Sequence, residues 1–340
     1  MGRWSRSLGP GALGIVMVIM WVPSAQARME SAVYLNGQLS KVYFNDGDSF
    51  RVLEGPLAGS KARLAGYNTL EGYGKVHIWG RKTFRELYVN AKKGTLNARR
   101  GPCWNKRLMR YRPGCNKAWH CTSDMTRDGY GRILWWCPDL AFSQVRQGLA
   151  HVLSVQGPRK PNGAESKKLA NLVEAQRLAV QERLGMWSRG VPEFILTSLH
   201  SFDEPYAQEK GTAYNRLVSV ADGHSQKWLH KRVYKECDKV CRMEVLEPDA
   251  IVNAAQALKA DPAVAPFIAK YDAEALIKIV RRFAEIGEVY WTADEHAAAM
   301  EQALAPMRQD GRLGKLKVGS CMHHAGYKRR FGANAASCLY

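Results

Sequence analysis

From Val33 to Gly66 apolar and polar residues alternate over short runs: Val33 to Phe44, Ser49 to Leu53 and Lys61 to Gly66. Each run is closed by turn-forming residues, at Asn45-Asp46-Gly47 and Gly55-Pro56, so the pattern predicts a strand meander. The period then changes to that of a helix from about Ile78 to Lys92, closed by Gly94 and followed by a strand at Thr95 to Arg99. Residues 101 to 127 are rich in Arg, Gly, Pro and Cys and read as a cross-linked excursion outside the core. Arg132 to Trp136 resumes as a strand after the turn Asp128-Gly129-Tyr130-Gly131. A helix is predicted from Leu140 to Val152. A second opens at Asn162-Gly163-Ala164-Glu165 and stops at Gly185, with Leu169, Leu172, Val173, Val180 and Leu184 on one face.

Five short strands with helices packed on them predict an α+β domain over residues 28–199; they would form a small closed barrel of the oligonucleotide-binding kind, which composition alone does not distinguish from other α+β folds. Gly190-Val191-Pro192 and the stretch to Pro205 read as a linker. Beyond it the pattern is mainly helical: Pro248-Asp249 opens one helix, Asp272 begins a second reaching about Ile286, and Thr292-Ala293-Asp294-Glu295 caps a third that ends before Gly311. Residues 200–340 therefore read as a mainly α-helical C-terminal region whose role the sequence does not choose.

Charge separates the same two parts. Of the formal net charge of +19, residues 28–199 hold 28 Lys/Arg against 13 Asp/Glu, and residues 200–340 hold 20 against 18. A concentrated positive field attracts polyanions, so nucleic acid or an anionic envelope surface is the natural partner of the first half. The extreme N-terminus places Arg3 and Arg6 before an apolar stretch from Leu8 to Val22, with Ala25-Gln26-Ala27 fitting a cleavage site. Residues 1–27 are expected to be a signal peptide, since about 15 apolar residues fall short of the roughly 20 that span a bilayer. Stable membrane insertion after cleavage is not expected; the mature protein is expected to be periplasmic or extracellular.

Eight cysteines follow, Cys103, Cys115, Cys121 and Cys137 in one half and Cys237, Cys241, Cys321 and Cys338 in the other. An even count in an oxidising compartment predicts two disulfides per half, with connectivity open. A zinc site from Cys237, Cys241, Cys321, His323 and His324 is the alternative for the second half.

Candidate chemistry collects at turns beside strands. Asp46-Gly47-Asp48-Ser49 puts two carboxylates at one turn, and Asn68-Thr69-Leu70-Glu71 offers an amide oxygen, a hydroxyl and a carboxylate. These are oxygen ligands suited to a hard cation such as Ca²⁺. Arg63 and Arg132 lie on or beside strands, where a guanidinium can grip a phosphate in fork geometry. A cation, two arginines and a carboxylate base are the parts needed to hydrolyse a phosphodiester.

In order and context these pieces resemble the staphylococcal nuclease (thermonuclease) family. The resemblance runs from about Val42 to Trp187: Asp46-Gly47-Asp48-Ser49-Phe50, Arg63 through Glu71, Asp128 through Arg132, Val145-Arg146-Gln147-Gly148-Leu149-Ala150, and Leu184-Gly185-Met186-Trp187. It implies a five-stranded barrel carrying a Ca²⁺-dependent nuclease that cuts DNA and RNA with little sequence preference and leaves 3′-phosphates. On that pattern Asp48, Asn68 and the Thr69 carbonyl would hold Ca²⁺ with Asp46 close by. Glu71 would be the general base, Arg63 and Arg132 would bind the phosphate, and Tyr130 would lie along the nucleotide. The segment from about 99 to 126 is longer than the family's connection. Asn68 stands where the family has Asp, Leu70 where it has Pro, and His151 to Gln156 lacks the family's tyrosines. A non-catalytic nucleic-acid-binding module with a degraded metal site is the alternative these departures leave open.

Overall fold

A computed structural model describes residues 30–72, 75–81, 84–105, 110–111, 117–154, 163–204, 208–209, 211, 213–289, 294–325 and 334–339. The expected signal segment, Cys115, Asn162 and Thr292 lie outside them. The fold is mixed α+β, with seven α-helices among the described residues.

The strand meander forms β1 (Ser31–Leu35), β2 (Gln38–Phe44), β3 (Ser49–Val52) and β4 (Lys61–Leu64), each antiparallel to the next. Alternation is the reason: Val33, Leu35, Val42, Phe44, Phe50, Val52, Ala62 and Leu64 all turn into one core while their neighbours face outward. Gly66 breaks the run, and β5 (Gly66–Thr69) leaves the sheet to pair elsewhere. Next come β6 (Val76–Ile78), helix α1 (Phe84–Arg100), the short ladder of β7 (Trp104–Asn105) with β8 (Arg110–Tyr111), then β9 (Trp119–Cys121) and β10 (Ile133–Trp135).

The sheet runs in the order β10-β4-β3-β2-β1-β9, six strands where five were expected. Its two edges meet, because Thr122 and Trp136 exchange backbone hydrogen bonds of 2.9 and 2.8 Å and Cys121 is disulfide-bonded to Cys137. The barrel is thereby nearly closed. The strand that closes it comes from the segment read as an excursion. Trp119 and Cys121 are buried there, and Trp119 Nε1 donates to the Ala98 carbonyl at 2.9 Å.

Helix α1 also differs from expectation, for it passes through Gly94 and takes in residues 95–99. Gly94 is a packing position: a Cβ there would stand 3.3 Å from the Leu149 carbonyl oxygen and 3.4 Å from Thr69 Cγ2. The helix expected from Leu140 to Val152 divides into α2 (Pro138–Arg146) and β11 (Ala150–Leu153), which pairs with β5. Helix α3 (Gly163–Gln181) then packs on the barrel through Leu172 and Ala175.

The stretch read as a linker contains a strand, β12 (Phe194–Leu199), and residues 200–340 carry strands as well as the expected helices: β12 forms one antiparallel sheet with β13 (Ala213–Ser219) and β14 (Ser225–His230), and β15 (Lys239–Val245) and β16 (Leu316–His323) lie in another. Strand β6, from the first half, completes the second sheet by pairing with β16. Helices Pro248–Ala260, Ala265–Ile268, Ala273–Ile286 and Asp294–Gln309 form a separate core around Ile251, Leu258, Leu276, Phe283, Met300 and Leu304. Asp272 caps the third of these by accepting from Ala275 N–H at 2.7 Å, as its sequence predicts, and left-handed Gly287 ends it. A further core joins the halves: Leu70, Trp79, Leu87 and Trp187 pack with Ile195 and Val220.

Disulfides Cys237–Cys338 and Cys241–Cys321 take up the four cysteines of the second half, leaving no thiolates for the zinc alternative. Cys103 is also disulfide-bonded. No helix among the described residues is long and apolar enough to cross a membrane.

Candidate active-site cleft

One turn and one strand build the floor. Gly47 lets the Asp46–Ser49 turn sit directly on α1 and β5: a Cβ at Gly47 would lie 2.5 Å from Thr69 Cγ2 and 3.0 Å from the Gly94 carbonyl carbon. The Gly47 carbonyl is held by the buried Tyr67 hydroxyl at 2.8 Å and by Gln144 Nε2 at 3.3 Å, and the same Gln144 amide donates to the Gly94 carbonyl at 2.8 Å. This lock fixes Asp46 and Asp48 relative to Asn68 and Thr69.

The polar groups on that floor are densely connected. Arg63 Nη1 meets Asp48 Oδ1 at 2.5 Å, and Arg63 Nη2 donates to Asn68 Oδ1. The other oxygen of Asp48 accepts from Thr69 N–H at 2.7 Å. Asp46 Oδ1 accepts from Ser49 Oγ at 2.7 Å and from Asp48 N–H at 3.3 Å. Asn68 Nδ2 donates to its neighbour's carbonyl, Thr69 O, at 3.1 Å and lies 3.4 Å from His151 Nε2. Strand pairing sets Asn68 opposite His151. His151 Nδ1 lies 3.0 Å from the Val152 carbonyl, which only accepts, so the proton is on Nδ1 and Nε2 receives the Asn68 amide. Burial pushes His151 down to about 4, keeping it neutral.

Electrostatically the floor is over-supplied with carboxylate. Burial works against the Arg63 guanidinium, but Asp48, Asp46 and Glu71 outweigh it and hold the charge firmly on. Asp46 is raised well above the usual carboxylate range, by burial first and by Asp48 second. Asp48 is held low against the upward push of burial by Arg63 and by its hydrogen bonds.

Arg132 reaches the site from a self-contained loop. Asp128 Oδ1 accepts from the backbone N–H groups of Tyr130 and Arg132 at 2.9 and 3.0 Å, while Oδ2 takes Arg132 Nε and Nη2, each at 2.7 Å. Against the push of burial, these contacts with Arg132 hold Asp128 below the usual carboxylate range. Asp128 is thus a positioning residue that the sequence motif contained without revealing its part. Its signal was a carboxylate four residues before the arginine in a Gly-rich turn.

A cleft of about 870 Å³ opens above this floor. Asp46, Arg63, Asn68, Glu71, Tyr130 and Arg132 line it, together with Tyr43, Lys75 and Asp128. Asp48 and Thr69, each 3% exposed, lie immediately beneath. All eight predicted site residues therefore converge on one place. The opposite wall had no signal in the motif: Thr197 comes from β12, and His200, Tyr214, Arg216 and Lys227 come from the second half. Lys75 and His200 are tied across the cleft through Glu204, at 2.9 and 2.8 Å.

Whether the donors suit a hard cation follows from this chemistry. Asp46, Asp48 and Glu71 face one buried guanidinium, and Asp46 is raised by burial first and by Asp48 second. The Thr69 carbonyl is already capped by Asn68 Nδ2, and no three His, Cys, Asp or Glu side chains among the described residues stand close enough to hold a metal by themselves. Asp48 Oδ1 and Asn68 Oδ1 are both engaged by Arg63 and Asp46 Oδ1 by Ser49, so a hard cation held by Asp46, Asp48 and Asn68, with water completing a shell of six to eight oxygens, would have to displace the guanidinium. Compared with models of known protein families and with curated proteins, the chain gives no match.

Proposed function

We propose that this chain is an exported nuclease that hydrolyses phosphodiester bonds of DNA or RNA with low sequence specificity. The observation that carries the reading is the convergence, in one cleft, of Glu71 with Arg63 and Arg132 from separate segments of the barrel. A nearly closed six-stranded barrel supports the same reading to the extent that it is of the oligonucleotide-binding kind the resemblance implies. Arg132, held in one orientation by Asp128, would bind a non-bridging phosphate oxygen and stabilise the charge that grows in the transition state. Arg63 would add its second guanidinium from the floor. Glu71 would accept the proton of the attacking water or orient it. Tyr130, 57% exposed beside Arg132, would lie along the nucleotide. When bound by Asp46, Asp48 and Asn68 Oδ1, Ca²⁺ would supply Lewis-acid charge beside the phosphate. Export to a periplasm or the cell exterior fits the three disulfides and the N-terminal signal pattern.

One feature favours a non-catalytic binding module instead: Arg63 and Asn68 are committed to each other and to Asp48 and Thr69. The two readings separate in one experiment. Oxidised protein is incubated with single-stranded DNA while Ca²⁺ is titrated from micromolar to about 10 mM, a range that covers weak extracellular sites. EGTA and a Glu71→Ala/Arg132→Ala variant serve as controls. Cleavage that needs Ca²⁺ and is lost in the variant supports the nuclease. Absence of cleavage at every Ca²⁺ level, with salt-sensitive binding retained, overturns it in favour of the binding module.

A further inference from the structure

We propose that the β13–β14 hairpin is a strand-holding subsite for single-stranded nucleic acid, in which Arg216 and Lys227 bind backbone phosphates and Tyr214 backs the ring of Tyr130. This deepens the nuclease reading and rests on it for the identity of the ligand. In the antiparallel register Arg216 stands directly opposite Lys227, and both line the cleft. Like charges directly opposite each other on one sheet face repel. Neither side chain forms an ion pair with a carboxylate among the described residues, although ion pairs are frequent elsewhere on the chain. An anion lying between them would offset that repulsion.

The aromatic neighbours define which anion. Tyr214 precedes Arg216 by two positions and so shares its face, with Lys227 Nζ 4.9 Å and the Arg216 guanidinium 6.0 Å from its ring centre. Burial raises the Tyr214 hydroxyl above its ordinary value, and the adjoining Tyr130 adds to the rise, so the two tyrosines meet across the cleft. Tyr214 is almost fully buried while Tyr130 is 57% exposed, which leaves Tyr130 as the stacking face and Tyr214 as its support. Positive charges that track a backbone, interleaved with an aromatic platform, are what single-stranded nucleic acid binds irrespective of sequence. At about 870 Å³ the cleft is of the size that encloses a ligand of a few rings. It is expected to take a single strand in preference to a duplex.

The test is fluorescence anisotropy of a labelled oligothymidylate with the full oxidised protein in EGTA, across a salt series. Neutralising two phosphate contacts on a single strand should flatten the slope of log K against log salt by about 1.4. The Arg216→Gln/Lys227→Gln variant is expected to show that flattening, with affinity reduced about tenfold or more, and duplex DNA is expected to compete poorly. The charge-keeping Arg216→Lys/Lys227→Arg variant should retain the wild-type slope, separating lost charge from a damaged fold. An unchanged slope in the neutralised variant overturns the subsite, as does wild-type protein that binds duplex as tightly as the single strand. A wild type that binds and a neutralised variant that loses slope as described, with no wild-type cleavage at any Ca²⁺ level, leave the subsite standing and remove the nuclease.

Discussion

Asp128 and Gly47 do the positioning that the reacting groups themselves do not show. Asp128 holds Arg132 through two contacts of 2.7 Å and simultaneously fixes the loop backbone. Asp128→Ala should leave the barrel folded but release Arg132. On the proposed nuclease reading, a small misplacement of Arg132 would cost about 100-fold, so turnover of single-stranded DNA would fall by one to two orders of magnitude with a smaller change in KM. Steady-state kinetics checks this. Gly47 acts through absence: a methyl carbon there would stand 2.5 Å from Thr69 Cγ2, so Gly47→Ala must displace β5 or the turn. Overpacking of this kind costs about 1 to 3 kcal/mol, measurable by urea unfolding, and activity should fall further than stability because Asp48 and Thr69 move apart. The motif residues were legible in the sequence because their chemistry lies in side-chain type. The orientation of Asn68 was not. Its amide donates to the Thr69 carbonyl and His151, a choice fixed by the β5–β11 register across 83 positions of chain.

Among the elements, those that carry their own start and stop signals were legible. Strands β2 to β4 lie within their predicted runs, and the helix from Ala273 to Ile286 has its cap and its end where the sequence puts them. Elements defined by their neighbours were not. Gly94 reads as a stop, yet the helix continues because the close approach of Leu149 and Thr69 demands a residue without a side chain. Strand β9 is three residues long in a segment rich in breakers and is held by pairing with β1 and by the Cys121–Cys137 bridge. Likewise β14, which begins at Ser225 and buries Trp228, was not predicted in a stretch read as mainly helical. The bridge closes a loop with a sequence separation of 16. Cross-links of that span stabilise by about 3 kcal/mol. The Cys121→Ser/Cys137→Ser variant is therefore expected to unfold at lower urea by about 2 to 4 kcal/mol, and to lose nucleic-acid binding in parallel as the barrel edges separate.

For the whole molecule, the two halves share one sheet, one core and one cleft. Strand β6 pairs with β16, Trp79 and Trp187 pack with Ile195 and Val220, and Ser154 N–H donates to the Gly223 carbonyl at 2.8 Å. Unfolding of either half should therefore carry the other with it, and acid provides the clearest test. His151 under the cleft and His230 in β14 are both buried, and burial pushes each down to about 4. In the unfolded chain each titrates near 6.5. Between those values the unfolded chain binds protons that the folded one does not. Stability is therefore fully present above about 6.5 and is lost as pH falls toward 4, by up to about 1.4 kcal/mol per pH unit for each histidine. Thermal unfolding from pH 7.5 to 4.5 should show one transition whose midpoint drops most steeply below pH 6.5. His230 donates to Asn215 Oδ1 through Nε2 at 3.1 Å and accepts Arg232 N–H at Nδ1. A His230→Gln variant keeps a donor for Asn215 but removes the titration, so its acid limb should be shallower by one proton while the neutral-pH midpoint falls only modestly. Two separated transitions, or an unchanged limb, would show that the halves unfold independently or that these histidines are solvated before the cleft opens.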